Sequence, residues 1–247
     1  MPRKKKTGRE PSDPQEGEDS APNAKTRKGE RTRARILEVA IDLFQEKGFE
    51  KTGMRDIADA AELSLGSAYY YFPSKDHLVQ GIYSFAHRIH VEALEPRLAT
   101  SKKLETRLRA LLTTKIESAE PYHGFSAHIF RNAADPKSPL NPFGHASEEV
   151  RGDAIALVRT VVEGSDARLP KDLRAELPEL LWLYEMAVIL FWIHDESPER
   201  RRTHRLIEHT VKIVMGLVSL ASLPPMRPVR RRISKLLAEL REEEDGE

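Results

Sequence analysis

The chain has 247 residues, of which 39% are hydrophobic and 32% are charged, and its formal net charge is +1. It contains no cysteine, which excludes disulfides, cysteine-ligated zinc or iron–sulfur centres and thiol nucleophiles. No apolar run approaches the roughly 18 residues of a membrane span, and the charged N-terminus lacks the apolar segment of a secretory signal. We therefore expect a cytoplasmic globular protein with no membrane partner.

Residues 1–27 are rich in Lys, Arg, Pro, Glu, Asp and Ser and carry almost nothing large and apolar. Such a segment cannot offset its ordering entropy by burial, so we expect a disordered tail. Its basic cluster, from Arg3 to Arg9, leaves two interpretations open. It is either a solvated tail or an arm that enters the minor groove of DNA.

From residue 28 to residue 47 the apolar side chains recur at three- and four-residue spacings, which predicts an amphipathic helix. Gly48 then provides a favourable helix end. Basic residues crowd the start of this helix, where the helix dipole favours acids, and this indicates an external anion. Arg31 and Arg33 are the predicted contacts to that anion.

Two short helices follow, at 54–62 and from Ser64 to about residue 71. Thr52 or Gly53 is expected to cap the first helix and Ser64 the second. Helices this short are stable only when they pack on the helix before them. Residues 28–75 are therefore predicted to form a three-helix helix-turn-helix DNA-binding domain.

A fourth helix is predicted from residue 75 to about 94, with Ser74 as its cap and Pro96 as its end. It should join the small domain to a larger helical one, residues 76–247. Period-two alternation is lacking, so the protein should be all-α. The further predicted helices lie at 101–119, 121–134, 144–164, 170–195, 198–222 and 228–242.

Several short motifs lie in and around the first four predicted helices. They are Gly48-Phe49, Thr52, Arg55-Asp56-Ile57-Ala58, Gly66-Ser67-Ala68-Tyr69-Tyr70-Tyr71-Phe72 and Lys75. Through them residues 32–82 resemble the TetR family of transcriptional regulators. The resemblance implies a homodimer that binds a pseudo-palindromic double-stranded DNA operator, represses transcription by default, and has a ligand-binding and dimerisation domain after the fourth helix. Gly53, Leu65 and Ala68 depart from the family's usual residues.

A recognition helix enters the major groove with its N-terminus first, so its first residues must be small or able to hydrogen-bond. Ser64, Gly66 and Ser67 fit this requirement. Leu65 offers a base edge only apolar contact, for which a thymine methyl group is a suitable target. These four residues are the predicted base-reading tip.

Contacts to the DNA backbone are predicted around this tip, at Thr52, Arg55, Tyr70, Tyr71 and Lys75. Lys75 lies in the first turn of a helix, where a cation opposes the dipole and a bound phosphate would satisfy both. The alternative for Arg55 is a salt bridge to Asp59. Tyr69 and Phe72 are expected to pack in the domain core.

The stretch 177–193 is apolar around most of its circumference, which predicts a helix buried by its own domain and by a partner. With the predicted helix at 198–222 it should form the four-helix dimer interface usual in the family. The predicted interface residues are Leu183, Ala187, Leu190, Phe191, His194, Leu206, Thr210 and Val214. The alternative is a helix buried only within its own chain.

The helices between these two regions are expected to enclose a pocket for a small ligand. Aromatic and soft apolar groups with a few polar ones suit an apolar or mixed-polarity ligand. The candidates are Phe125, His128, Ile129, Trp182 and Met186. Release of DNA would then be a shift of population between two conformations.

Phosphate-loop, serine-elbow and zinc-protease motifs do not occur in the sequence, so we predict no enzyme, no catalytic residue and no cofactor. His87 and His90 are three residues apart on the predicted fourth helix, yet no further ligand follows nearby, and we predict no metal site. One alternative keeps DNA binding without a small-molecule ligand. In it the C-terminal domain serves only dimerisation or partner binding.

Overall fold

The computed structural model describes residues 24–126, 138 and 141–245. Nine α-helices lie within these residues, and no strand does, which confirms the all-α prediction. They are α1 (Ala24–Lys47), α2 (Met54–Ala60), α3 (Leu65–Tyr71), α4 (Lys75–Ala99), α5 (Leu104–Ala119), α6 (Glu148–Glu163), α7 (Lys171–Ile193), α8 (Arg201–Ala221) and α9 (Arg227–Asp245). Short 3-10 turns lie at Glu120–Tyr122, His145–Ser147, Pro198–Arg200 and Pro224–Met226.

Most predicted helix boundaries differ from the structure by a few residues, and the differences at α1 and α4 concern the DNA-binding domain. The first helix begins at Ala24 rather than at residue 28, and the rest of the predicted tail lies outside the described residues. Pro96 was predicted to end the fourth helix, but α4 continues through it to Ala99. Proline removes one backbone donor, and Pro96 is exposed, so water can hydrate the carbonyl left free one turn earlier.

The first hydrophobic core joins α1, α2, α3 and the start of α4. The apolar stripe of α1 is buried as predicted, with Ile36 and Ala40 fully enclosed. Gly48 ends α1 with φ +85°, a conformation that favours glycine, and its N–H donates to Phe44 O at 3.1 Å. The chain can therefore turn sharply enough to bring α2 back onto α1.

The second core lies among α4, α5, α6, α7 and α8. Arg107 of α5 is 4% exposed, and its guanidinium donates to Val161 O at 2.8 Å and Thr160 O at 3.0 Å, at the C-terminal end of α6. An added Cβ at Gly164 would lie 2.3 Å from Arg107 Nη2. This close approach fixes α5 against the end of α6.

α4 belongs to both cores. Leu78, Val79 and Ile82 pack in the first core and Leu94 in the second. An added Cβ at Gly81 would lie 2.6 Å from the Phe72 ring, so α4 approaches the end of α3 very closely. The predicted domain boundaries after residues 27 and 75 stay predictions, since α4 packs with the residues on either side.

No single helix among the described residues has both the length and the apolar composition to cross a membrane. One pair, Pro198–Ala221 with Pro224–Leu236, meets these criteria only when the two segments are taken together across an 87° bend.

Candidate functional site

The start of α3 forms an exposed polar tip. Ser64 caps the helix as predicted, because its Oγ accepts a hydrogen bond from Ser67 N at 3.1 Å. The two serine hydroxyls also lie 2.8 Å apart. At Gly66 an added Cβ would meet nothing within 4 Å except Ser64 Oγ at 4.0 Å. The protein therefore leaves open space beside the tip.

The faces of α3 follow from its buried Ala68. Leu65 and Tyr71 lie three residues to either side of it and pack against the first core. Tyr69 and Tyr70 project away, with 46% and 82% of their surfaces exposed. The prediction that Tyr69 packs in the core is therefore wrong. Leu65 and Tyr71, predicted to face DNA, are half-buried instead.

Phe72 is 1% exposed and packs in the core, as predicted. The hydroxyl of Tyr71 comes close to the backbone of α1, since an added Cβ at Gly29 would lie 3.9 Å from it. The Tyr71 side chain therefore lies between α3 and the basic start of α1.

The structure contradicts the prediction that the Thr52 side chain faces DNA. Thr52 is 1% exposed, and its hydroxyl donates to Gly48 O at 2.9 Å. Gly53 occupies the N-cap position of α2, and its N–H donates to Asp56 Oδ2 at 2.8 Å. The Thr52 hydroxyl thus stabilises the α1–α2 connection, and the Asp56 carboxylate accepts a hydrogen bond from a backbone N–H at the start of α2.

Lys75 has internal partners that the sequence did not reveal. Its Nζ donates to Phe49 O at 2.6 Å and to Thr52 O at 3.3 Å, and it lies 3.9 Å from the centroid of the Phe49 ring. The lysine therefore fastens the start of α4 to the α1–α2 connection. An ammonium group has three donors, so its predicted phosphate contact stays a prediction that concerns the remaining donor.

The three predicted arginines lie on α1 and α2. Arg31 and Arg55 are exposed. The guanidinium of Arg33 lies 4.9 Å from the centroid of the Phe72 ring. Within the described part of the chain Arg55 forms no ion pair, and the alternative salt bridge to Asp59 is not made. Their contacts to DNA stay predictions.

A cavity of about 210 Å³ lies between α4, α5, α6 and α7. Of the five predicted pocket residues, Phe125, Trp182 and Met186 line it, whereas His128 and Ile129 lie outside the described residues. Ile41 of α1 and Ile82 of α4 also line it. The cavity therefore touches the first core as well as the second.

Phe125 forms a contact between the cavity and α1, in addition to the lining residue Ile41. Its ring stacks on Phe44 with centroids 5.5 Å apart and an interplanar angle of 9°. Gln45 Nε2 adds a hydrogen bond to Pro121 O at 3.3 Å, from α1 to the turn that precedes Phe125. The Phe125 ring thus lies between the cavity and α1.

His87 of α4 lines the cavity, and His90 lies one turn further along the same helix. Burial lowers the pKa of His90 to about 3, and its Nε2 lies 3.0 Å from Leu111 O while Nδ1 has no partner. Burial, and then the charge of Lys115, lower the pKa of His87. Among the described residues no three His, Cys, Asp or Glu side chains gather to hold a metal ion.

Two family models match the chain. A model described as "Bacterial regulatory proteins, tetR family" matches residues 36–82. A second, "Tetracyclin repressor-like, C-terminal domain", matches residues 107–236, more than half of the chain. The chain belongs to the TetR family of transcriptional regulators. The resemblance carried by residues 32–82 is confirmed, and the family is one of regulators rather than of enzymes.

Individual relatives agree with this assignment. The transcriptional repressor KstR2 of Rhodococcus jostii is 37% identical over 95 residues, which cover 37% of this chain and 45% of that protein. The match thus spans about half the length of the curated relative.

Solved structures of the family share the fold. A putative TetR-family regulator from Syntrophomonas wolfei superposes with a TM-score of 0.61 at 17% identity, over 75% of this chain and 95% of that one. FadR from Bacillus subtilis, solved in complex with stearoyl-CoA, superposes with a TM-score of 0.58 at 12% identity, over 75% and 97%. At these identities the likeness concerns the fold alone.

The TetR-family chain exposes an apolar face on α7 where the sequence predicted a dimer interface. Leu183 is 39% exposed and Leu190 43% exposed, and Ala187 and His194 are exposed on the same face. These positions recur at spacings of four, three and four residues, so they form one stripe. Phe191 is half-buried, with the Arg202 guanidinium 5.7 Å from its centroid.

On α8 the exposed face differs from the predicted one. Thr210 bonds to Tyr184 of its own chain at 2.5 Å, and Leu206 and Val214 are half-buried. The exposed apolar residues of this helix are Ile213, Leu217 and Leu220. The apolar residues of α8 cover a wide arc of the helix, and the sequence alone does not show which part of that arc packs against α5, so the predicted interface residues of α8 stay a prediction.

Proposed function

We propose that this chain is a repressor that binds a pseudo-palindromic operator as a homodimer and releases it when a small, largely apolar ligand enters the cavity. The observation that carries the proposal is the position of Phe125. One side of this residue lines the cavity and the other stacks on α1 of the helix-turn-helix domain. Ligand binding and the orientation of that domain therefore share a buried contact.

The exposed tip of α3 supports the DNA-binding part of the proposal. Ser64, Gly66 and Ser67 enter the major groove, where hydroxyl groups reach base edges and a glycine allows close approach. Tyr70 contacts the backbone through its hydroxyl, and Tyr69 lies beside it on the same exposed surface. Leu65 supports the tip from the core side and offers its free edge to a thymine methyl group.

The basic residues around the tip bind phosphates in this proposal. Arg31 and Arg33 on α1 and Arg55 on α2 supply cations, and Lys75 supplies its remaining donor. Each phosphate neutralised releases counterions, so affinity falls with salt in proportion to the number of such contacts. Thr52 is left out because its hydroxyl is buried and bonded internally.

A two-fold dimer places two copies of α3 on successive turns of DNA, about 34 to 36 Å apart. In a two-fold interface the same patch of each subunit meets itself. The exposed stripes of α7 and α8 suit this role, because large apolar side chains there remain uncovered in the single chain. Leu190 and Leu217 belong to the surface proposed to be buried.

Release is a population shift. A ligand that fits the cavity only in a conformation with mis-spaced recognition helices lowers the affinity for the operator by the ratio of its affinities for the two states. Two similar proteins agree with the proposal. KstR2 is called a repressor, and FadR was solved with stearoyl-CoA, a molecule with a long apolar chain.

The test is selection of bound duplexes from a random DNA pool by the purified full-length chain, followed by sedimentation of the complex. We expect a pseudo-palindrome whose half-sites are about one helical turn apart, bound by two chains. A set of selected duplexes without shared sequence would contradict operator recognition. A specific operator that no cavity ligand releases would favour a regulator that lacks a small-molecule effector.

A further inference from the structure

The charged side chains among the cavity's described lining residues have one sign. Among its described lining residues the side chains with a formal charge are Lys115 of α5 and Arg151 of α6, and neither aspartate nor glutamate is present. The remaining walls are mainly aliphatic and aromatic, and include Trp182, Met186 and Ile189. An apolar wall strengthens the attraction between a cation and an anion because it keeps water away. The cavity is therefore suited to a molecule with an apolar body and a negative end.

Lys115 lies near a buried carboxylate that is outside the cavity lining. Its Nζ lies 3.7 Å from Oε1 of Glu185, a residue of α7 that is 3% exposed and does not line the cavity. This distance exceeds the roughly 2.7–2.9 Å of a charge-assisted hydrogen bond. Burial raises the pKa of Glu185, and Lys115 opposes that rise. Glu185 thus positions the lysine without satisfying its three donors.

Two neighbouring groups of α4 complete a polar end of the cavity. Tyr83 and His87 are four residues apart, so they share a helix face, and both line the cavity. Burial raises the pKa of Tyr83, so its hydroxyl stays protonated and neutral near pH 7. Burial and Lys115 lower the pKa of His87, which keeps the imidazole neutral near pH 7. Lys115 is then the full charge at this end.

We propose that the cavity binds an apolar carboxylic acid in its ionised form, with the carboxylate on Lys115 and the hydrocarbon against Trp182, Met186 and Phe125. This inference rests on the proposed function and names the chemical class of its ligand. The volume of about 210 Å³ exceeds the ~150 Å³ of an engineered apolar cavity that takes up benzene. The cavity thus has room for more than a single ring.

The test compares three probes that share one chain and differ in the head group: decanoate, 1-decanol and decylamine. Calorimetry on the DNA-free protein measures binding directly, and operator release is measured separately. We expect decanoate to bind about 10-fold or more tighter than decanol, as a charge-assisted hydrogen bond provides, and decylamine to bind most weakly. Equal affinities, or a preference for the amine, would overturn the inference.

Variants assign the preference to one residue. Lys115→Met should lower decanoate affinity to that of decanol and leave decanol within about twofold. Lys102→Met, on an exposed lysine before α5, is the control and should change neither. Because Lys115→Met leaves Glu185 buried without its partner, the double variant Lys115→Met/Glu185→Gln removes both charges and should lose the preference as well. A preference that survives in both variants excludes Lys115.

Glu185→Gln should have the opposite effect to Lys115→Met, since it leaves Lys115 unpaired and should tighten decanoate binding. Weaker decanoate binding would contradict the proposed role of Glu185.

Decanoyl-CoA separates a free acid from a thioester, whose phosphates lie far from its acyl chain. Tight binding of decanoyl-CoA with none of decanoate overturns the inference. If decanoate binds through Lys115 but the operator stays bound, the result rejects ligand-driven release and supports the carboxylate site. If other ligands release the operator and no carboxylate binds, the carboxylate site fails alone.

Discussion

Gly66 stands at the exposed start of α3, where an added Cβ meets only Ser64 Oγ at 4.0 Å. Thr52 lies eleven residues before Leu63, in the connection between α1 and α2, and its side chain is buried. Both were predicted to contact DNA, and only the structure separates them. At the scale of single residues, the space around a side chain decides whether it can serve recognition.

Gly66→Ala should leave the fold intact and weaken operator binding. Alanine is the better helix former by about 1 kcal/mol, and the protein has room for the methyl group, so thermal stability should stay equal or rise. Operator affinity should fall by at least about 10-fold if the backbone approaches a base pair there. Fluorescence anisotropy measures the operator affinity. Gly152→Ala, at an exposed position of α6 where an added Cβ meets nothing within 4 Å, is the control. Unchanged affinity would show that DNA keeps its distance from residue 66.

His90 should make stability depend on pH. Its pKa is about 3 in the folded chain against an ordinary 6.5, so below pH 6.5 the unfolded chain binds the extra proton. Stability is therefore unaffected above pH 6.5 and falls as pH drops toward 3, by up to about 1.4 kcal/mol per unit. Urea denaturation at pH 7.5 and 5.0 should show a smaller drop for His90→Gln than for the wild type. Equal drops would mean that His90 is protonated in the folded chain.

At the scale of elements, local signals predicted the helices of the DNA-binding domain well. Gly48 ends α1, and Ser64 and Ser74 cap α3 and α4 as expected, because each of these features depends on a few adjacent residues. The buried face of each helix was harder to predict. Three successive tyrosines give α3 no polar contrast, and the apolar residues of α8 cover a wide arc of the helix, so packing partners that are distant in sequence decide which side is buried.

The internal partners of Lys75 predict a structural effect of its removal. Lys75→Ala should lower the free energy of unfolding by about 1–2 kcal/mol, because Phe49 O and Thr52 O lose a charged donor. Lys51→Ala, on the same connection and exposed, is the matched control. If Lys75 also binds a phosphate, the slope of log affinity against log salt falls by about 1. An unchanged stability would mean that the lysine does not anchor α4.

The apolar stripe on α7 predicts how the proposed dimer can be separated. Leu190 is 43% exposed in the single chain, so Leu190→Glu should leave each chain folded while its charge blocks the interface. Sedimentation should show a monomer with unchanged helical circular dichroism and operator affinity reduced by more than about 100-fold. Ala156→Glu, exposed on α6, should remain a dimer. A dimeric Leu190→Glu protein would place the interface elsewhere.

At the scale of the whole molecule, the cavity and the helix-turn-helix domain share buried residues. Sequence patterns predicted both regions and three of the cavity's aromatic or soft lining residues, but not their contact through Phe44 and Phe125. That contact joins residues far apart in the chain, and periodicity carries no information about such pairs. In the proposed mechanism, this shared contact couples the two sites.

Coupling between two sites is reciprocal, so it can be measured from either side. The decisive measurement is the affinity for the selected operator with and without a saturating cavity ligand, together with the affinity for that ligand with and without operator. We predict that the ligand weakens operator binding by about 10-fold or more and that the operator weakens ligand binding by the same factor. A ligand that fills the cavity while both affinities stay unchanged would contradict the account.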